Sequence, residues 1–154
     1  MQQKESIHKP DQGQILLQDL WSKECADLEE LSCTQKMDFK ARLRALFQVK
    51  KWNSSRFQEK TELSPTIFTK INSDKYYRYR PSLQSMLAIC IGLNTPYLYS
   101  MQLLNAGNYC LDDSNPCHQI YMFILRNNHR FDIDGANRFL IQNHFEPISG
   151  KGMY

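Results

Sequence analysis

The stretch that decides the fold is NSSRFQEKTELSPTIFTKIN, residues 53–72. Ser64 followed by Pro65 is a strong helix start, because proline is preorganised at the first helical position and the serine oxygen accepts a free backbone amide. A preceding helix can begin at Asn53 or Ser54 and run to position 61. Apolar side chains that would face inward recur on both helices, at Phe57, Leu63, Ile67, Phe68 and Ile71. The stretch therefore predicts two short helices joined by a tight connector.

Upstream of this stretch, apolar residues recur at three- and four-residue steps over Gln14–Leu31, which predicts an amphipathic helix with an acidic outer face. Its predicted inner stripe includes Leu20, Trp21, Cys25, Leu28 and Leu31. A single helix of this kind is marginally stable alone, so it must dock somewhere. It could pack on the domain, join a second copy or bind a larger partner.

Five more helices are predicted to begin near Asp38, Ser82, Thr95–Pro96, Asn115–Pro116 and Asp132. The helix after Ser82 is apolar nearly all round, which predicts a central position in the core. Gly107 is predicted to end the following helix as a left-handed cap. Strand-like alternation is missing apart from the short stretch Tyr76–Tyr79, so we expect an all-α fold.

Positive charge is concentrated in the middle of the chain. Residues 1–35 carry a net charge of −4, residues 36–80 carry +8 and residues 81–154 carry −1. Such blocks commonly bind polyanions, since each neutralised phosphate releases condensed counterions. A solvated face explains the block equally well. The change of charge predicts two units, an acidic N-terminal segment over 1–35 and a helical domain over 36–154.

Several function classes are not indicated by the sequence. The five cysteines are odd in number and form no CxxC pair, which argues against a disulfide framework and a structural zinc site. No glycine-rich phosphate loop or nucleophile motif is present, and no apolar run approaches the roughly 18–20 residues that span a bilayer. The start of the chain does not resemble a secretory signal. We therefore expect a reduced, cytoplasmic protein that is not an enzyme and has no cofactor, metal site or membrane partner.

Two motifs carry a family resemblance. The first motif, TELSPTIFTKI (61–71), has the order threonine, turn, apolar residue, serine, three variable residues and an apolar closing pair. The second motif, RPSLQSMLAICIGLN (80–94), follows it. With these motifs, residues 39–104 resemble the Cro/phage-repressor type of helix-turn-helix domain, also called the xenobiotic-response-element type. The resemblance implies a five-helix core, followed here by a C-terminal helical extension and preceded by the N-terminal amphipathic helix.

By this resemblance, the helix over 64–71 is the recognition helix that enters the major groove of duplex DNA. The DNA-binding residues that we predict on and just before it are Ser54, Ser55, Arg56, Ser64, Pro65, Thr66, Thr69 and Lys70. Within that set Thr66, Thr69 and Lys70 would read bases. Further phosphate contacts are expected from Arg42, Arg44, Lys50, Lys51, Lys60, Lys75, Arg78 and Arg80.

Three positions depart from the family pattern. Gln58 stands where the family usually has a small alanine, and Pro65 replaces a residue that is often a glutamine reading adenine. Glu62 occupies a turn position usually held by glycine, where a left-handed backbone is convenient and where a carboxylate could repel phosphate.

The linker NSDKYYRYR (72–80) is a second candidate binding segment, since its three tyrosines are interleaved with Lys75, Arg78 and Arg80. These side chains could stack on bases and bind phosphates, form a protein interface, or pack on their own domain.

We expect a sequence-specific duplex-DNA-binding protein, a transcriptional regulator of bacterial or mobile-element type that acts as a homodimer. The alternative is a non-catalytic protein-interaction module on the same scaffold. It would be a subunit of a larger nucleoprotein complex or an inhibitor of a host defence nuclease. It would contact its partner through the N-terminal helix or the 72–80 linker.

Overall fold

The computed structural model describes residues 12–150, with side chains from position 17 onward, and this part of the chain is helical without strands. Its α-helices are α1 (Gln12–Thr34), α2 (Phe39–Val49), α3 (Ser54–Thr61), α4 (Pro65–Asn72), α5 (Leu83–Leu93), α6 (Tyr97–Ala106), α7 (Pro116–Arg126) and α8 (Ile133–Gln142). Two single turns of 3₁₀ helix lie at Asp74–Tyr76 and Asn128–Arg130. The expected all-α class is confirmed for the described residues. The outer ends of the two predicted units, 1–11 and 151–154, lie outside them.

Local capping chemistry starts most of these helices where the sequence predicts. Asn53 caps α3 by accepting a hydrogen bond from the Arg56 backbone N–H at 2.8 Å. The Ser64 hydroxyl accepts from the Thr66 N–H, and Pro65 takes the first position of α4. Side-chain caps at the predicted residues also start α2, α5, α7 and α8. Each cap satisfies backbone donors that a helix start would otherwise leave unpaired.

The helix α6 begins where the sequence predicts, directly after Thr95 and Pro96. The Thr95 side chain does not cap this helix, and Pro96 occupies the N-cap position without a side-chain hydrogen bond. The buried Thr95 hydroxyl instead lies 2.6 Å from the Ser100 hydroxyl and 3.3 Å from the Cys90 carbonyl oxygen. Thr95 therefore ties the end of α5 to α6.

The prediction of a left-handed cap at Gly107 is wrong. Gly107 has a φ of −93°, and the left-handed residue is Asn108, with a φ of 62°. Glycine is needed at 107 for its lack of a side chain, because a Cβ there would lie 2.8 Å from the Phe39 ring and 2.6 Å from the Tyr109 ring.

The helix α5 lies at the centre of the core, as its composition predicts. Met86, Leu87, Ala88, Ile89, Cys90, Ile91 and Leu93 are all buried. α5 packs against α3, α7 and α8, and therefore connects the central helix pair to the C-terminal helices.

The helix α1 packs on its own domain, the first of the three destinations open to it. It contacts α2 and α6, and its Trp21 Nε1 donates hydrogen bonds to the carbonyl oxygens of Leu93 (2.9 Å) and Asn94 (3.0 Å). The predicted inner stripe is right for Trp21 and Cys25 and wrong for Leu20 and Leu31, which are 53% and 45% exposed. Among the helices within residues 12–150, none has the length and apolar character needed to cross a membrane.

Candidate nucleic-acid interface

The connector between α3 and α4 is held by its own backbone and side chains. α3 ends at Glu62, which has a left-handed backbone (φ 57°) and donates its N–H to the Gln58 carbonyl at 2.8 Å. The buried Thr61 hydroxyl donates to the Phe57 carbonyl and accepts from the Leu63 N–H. Glu62 thus takes the conformation expected from the family resemblance, although it is not a glycine.

An aromatic cluster holds the inner faces of α3 and α4 together. The ring centroids of Phe57 and Phe68 are 5.3 Å apart, and Phe47 of α2 lies 5.8 Å from Phe57 and 5.1 Å from Phe68. Trp52 stacks on Phe47 at 5.6 Å. These contacts fix which face of α4 points inward, and so they also fix which face points outward.

The outer face of α4 is accessible. Thr66 and Thr69 are exposed, while Ser64, Pro65 and Lys70 are half-buried. α4 packs mainly against α2, α3 and the 74–76 turn, whereas the acidic helix α1 packs on α2 and α6. The predicted readout positions Thr66 and Thr69 therefore lie together on a surface that the rest of the fold leaves open.

The outer surface of α3 continues this face. Ser55 and Arg56 are exposed and Ser54 is half-buried. Arg56 forms an ion pair with Glu59 at 3.1 Å, in which both side chains are more than half exposed. An exposed pair at this spacing contributes little, so Arg56 can exchange it for a phosphate.

Lys70 is held by the linker that follows α4. Its Nζ lies 5.2 Å from the centroid of the Tyr79 ring and 5.8 Å from that of Tyr76. Lys40 of α2 closes the same turn, because its Nζ donates to the carbonyl oxygens of Tyr76 (2.7 Å) and Lys70 (3.2 Å). No local pattern marks Lys40, since these contacts span 30 and 36 positions of the chain.

The linker tyrosines have different environments. Tyr79 is half-buried, and burial raises the pKa of its hydroxyl. Tyr77 is 71% exposed and lies 5.4 Å from the guanidinium of Arg78. The linker thus packs on its own domain through Tyr79 and presents Tyr77, Lys75 and Arg78 outward.

Two predicted phosphate contacts on α2 are used within the fold instead. Arg42 forms an ion pair with Glu29 of α1 at 2.7 Å, and both side chains are largely buried. Arg44 Nε donates to the Ile71 carbonyl oxygen at 2.8 Å, and its guanidinium lies 3.2 Å from Asp74. These arginines hold α1 and the end of α4 in place, so their guanidinium groups already have partners within the fold.

Lys50 and Arg80 also serve the fold. Lys50 Nζ lies 4.0 Å from the centroid of the Trp21 ring, and burial lowers the pKa of its ammonium group. The Arg80 guanidinium donates to the Gly107 carbonyl oxygen and lies 4.8 Å from the Tyr109 ring. Both residues are still exposed, as are Lys51, Arg56, Lys60, Lys75 and Arg78 of the predicted set.

The carboxylate of Glu62 lies beside the C-terminal part of the fold. Burial raises its pKa, and the negative charges of Asp134 and Asp132 raise it further. Its backbone carbonyl accepts a hydrogen bond from the Gly150 N–H at 3.1 Å. The turn between α3 and α4 is therefore attached to the segment after α8 by this hydrogen bond, whereas Asp132 and Asp134 at the start of α8 repel the Glu62 carboxylate.

No set of three or more His, Cys, Asp or Glu side chains within the described residues is arranged to hold a metal ion. Comparison with protein-family models, with curated proteins and with solved structures finds no match.

Proposed function

We propose that this protein binds duplex DNA in a sequence-specific manner, with α4 as the recognition helix of a helix-turn-helix domain of the phage-repressor type. The observation that carries the proposal is the exposure of Thr66 and Thr69 on a helix whose opposite face is fixed by the aromatic cluster. A helix fits the major groove, which is about 12 Å wide, and short hydroxyl side chains suit base edges. The proposed role is that of a non-catalytic transcriptional regulator of bacterial or mobile-element origin.

The charges around this face suit a phosphate backbone. Lys75 and Arg78 lie in the linker after α4, and Arg56 and Lys60 lie on the exposed side of α3. The N-terminus of α3, with Ser54 and Ser55, can approach a phosphate through its free amides. In the proposed homodimer, two copies of α4 would contact half-sites about 34 Å apart.

A protein-interaction role on the same scaffold is the second candidate, and the exposed pair Tyr77–Arg78 favours it. Tyrosine and arginine are common anchors of protein interfaces. The exposed Leu17 and Leu20 of α1 offer a second apolar surface for such a partner.

Duplex binding measured by fluorescence anisotropy across a salt series tests the proposal, first with random DNA and then with DNA from upstream of the protein's own gene. We expect the affinity of the wild type to fall steeply with salt, and Lys70→Glu and Arg78→Glu each to weaken binding and reduce the salt slope by about one. Lys23→Glu, on the exposed side of α1, is the matched control and should leave that slope unchanged.

Circular dichroism of each variant shows whether the fold is intact before binding is compared. If neither Lys70→Glu nor Arg78→Glu changes duplex affinity, the assignment of this surface to DNA binding is refuted. Retention of a specific protein in a pull-down, with no duplex affinity at low salt, would support the second candidate.

A further inference from the structure

The exposed amide of α4 is badly placed to read a purine. Guanine is usually read by an arginine or a lysine and adenine by an asparagine or a glutamine, each through two hydrogen bonds. Asn72 is exposed, but its Nδ2 donates to the Phe68 carbonyl oxygen at 2.8 Å. It is also the last residue of α4, whereas recognition helices contact bases through their N-terminal residues. Reading of adenine by Asn72 is therefore disfavoured.

Lys70, the one cation of α4, lies against the linker. Its Nζ is 5.2 Å from the centroid of the Tyr79 ring and 5.8 Å from that of Tyr76. The Nζ of Lys75 is 5.7 Å from the same Tyr76 ring. Two ammonium groups thus lie close to one tyrosine at the 74–76 turn, where a phosphate oxygen is the natural counterion. This arrangement favours a phosphate contact for Lys70 over a base contact.

The remaining groups on the outer face of α4 are short and largely apolar. Thr69 is a helical neighbour of both Pro65 and Thr66, since residues three and four apart lie about 5–6 Å from one another. The Thr69 hydroxyl donates a long hydrogen bond, 3.4 Å, to the Pro65 carbonyl oxygen. A hydroxyl that bonds its own helix is less available to a base, whereas the methyl group on the same carbon stays free. The face therefore offers two methyl groups beside a proline ring.

We propose that α4 reads the 5-methyl groups of thymine, so that each half-site carries thymines where Thr66 and Thr69 enter the major groove. Among the four bases only thymine presents a methyl group there, and a threonine methyl is one of its usual contacts. The inference rests on the proposed function, because it specifies which base the same face recognises. Lys70 then adds affinity for any duplex without adding discrimination.

Duplexes that differ by one methyl group test this inference. The full chain first selects its tightest sites from a pool of random duplexes. Each thymine of a selected site is then replaced by deoxyuridine, which keeps the base pair and removes only the methyl group. Affinity is measured by fluorescence anisotropy at one salt concentration. Thymines of the same duplex that lie outside the selected site are the matched control.

We expect deoxyuridine at one or two positions of each half-site to weaken binding about threefold to fourfold, the loss that corresponds to one buried methyl group. The same replacement outside the site should have no effect.

Two substitutions of Thr69 separate its methyl group from its hydroxyl. Thr69→Ser removes the methyl group, so it should bind the thymine and deoxyuridine duplexes equally at the position that Thr69 contacts. Thr69→Val keeps a methyl group and removes the hydroxyl, so it should still prefer thymine. Lys70→Gln should weaken binding to both duplexes by the same factor and reduce the salt slope by about one. Circular dichroism confirms that each variant is folded.

Two results would overturn the inference and leave the proposed function intact. The first is that no deoxyuridine replacement changes the affinity of a selected site. The second is that Thr69→Val loses the preference for thymine while Thr69→Ser keeps it, since the hydroxyl would then be the reading group. If the wild type enriches no site from the pool, the proposed function itself fails, and the inference fails with it.

Discussion

Gly92 sets the distance between α5 and α3. A Cβ at this position would lie 2.8 Å from the carbonyl oxygen of Lys60 and 3.0 Å from Cγ2 of Thr61. Because the first contact is with backbone, alanine can be accommodated only by separating the two helices. The position of α3, and with it the candidate interface, thus depends on the absence of one methyl group.

We predict that Gly92→Ala lowers the free energy of unfolding by about 1–3 kcal/mol, the usual range for overpacking. Urea denaturation followed by circular dichroism measures it. Gln102→Ala, at an exposed position of α6, should change the same quantity by less than about 0.5 kcal/mol. Alanine favours a helix by about 1 kcal/mol over glycine. A Gly92→Ala variant that is more stable than the wild type would therefore show that α3 and α5 are not this close.

Glu62 makes stability depend on pH. Burial and the nearby Asp134 and Asp132 raise the pKa of its carboxyl above the ordinary value of 4.5. An acid whose pKa is raised by folding opposes folding when it is ionised, and this penalty is lost as pH falls through the raised pKa and is absent below the ordinary value. At neutral pH the wild type therefore carries the penalty, and near pH 3 it does not.

We predict that Glu62→Gln raises the melting temperature at pH 7, that this advantage shrinks as pH falls through the raised pKa, and that it is gone below about 4.5. Glu59→Gln is the control, because Glu59 is an exposed carboxylate paired with Arg56 and should give no such gain. An advantage of Glu62→Gln that grows towards pH 3, or no advantage at pH 7, would contradict this reading of the turn.

At the scale of elements, the docking of α1 depends on one buried indole. Trp21 donates to two carbonyl oxygens at the end of α5 and carries the ammonium group of Lys50 over its ring. The ion pair between Glu29 and Arg42 holds the other half of α1. The two contacts together explain how a mainly acidic helix packs on the basic part of the chain.

We predict that Trp21→Phe destabilises the docking of α1 by about 1–2 kcal/mol, because it removes the N–H and leaves two carbonyl oxygens without this donor. Hydrogen exchange should show faster exchange in α1 and unchanged protection in α4. Leu20→Ala, at a largely exposed position of the same helix, should leave both rates within about a factor of two. Equal loss of protection in α1 and α4 would instead show that the two elements unfold together.

The sequence predicts well those helix starts whose hydrogen-bonding partners lie close together along the chain. The caps at Asn53 and Ser64 accept hydrogen bonds from residues two or three positions ahead, so the local pattern contains both partners. The buried side of α1 is different, because it is decided by α2 and α6. The predicted stripe therefore places Leu20 and Leu31 on the wrong side of the boundary between core and solvent.

The same distinction separates the two parts of the candidate site. The outward positions Thr66 and Thr69 follow from helical spacing within α4 and were predictable. Which cations have partners within the fold was not predictable, because those partners are distant in the sequence. Arg42 bonds to a residue 13 positions away, and Arg44 and Arg80 each bond to a residue 27 positions away. The net charge of a segment includes these side chains, although they form hydrogen bonds and ion pairs within the fold.

For the whole molecule, the positive excess of the 36–80 segment is divided between structure and surface. Arg42, Arg44, Lys50 and Arg80 hold other elements. Most of the exposed cations lie on α3, just before it and in the linker after α4, and Lys36 is exposed between α1 and α2. The acidic α1 is docked on α2 and leaves α4 open, which is the arrangement that a DNA-binding role requires of this chain.

Amide NMR of the full chain during titration with a short random duplex at low salt tests the central claim most directly. The account predicts progressive shift changes at Ser55, Thr66 and Thr69, while the amides of Asp27 and Glu30 on α1 stay fixed. Changes confined to α1, or none at duplex concentrations on the order of 100 μM, where even non-specific binding is expected, would contradict it.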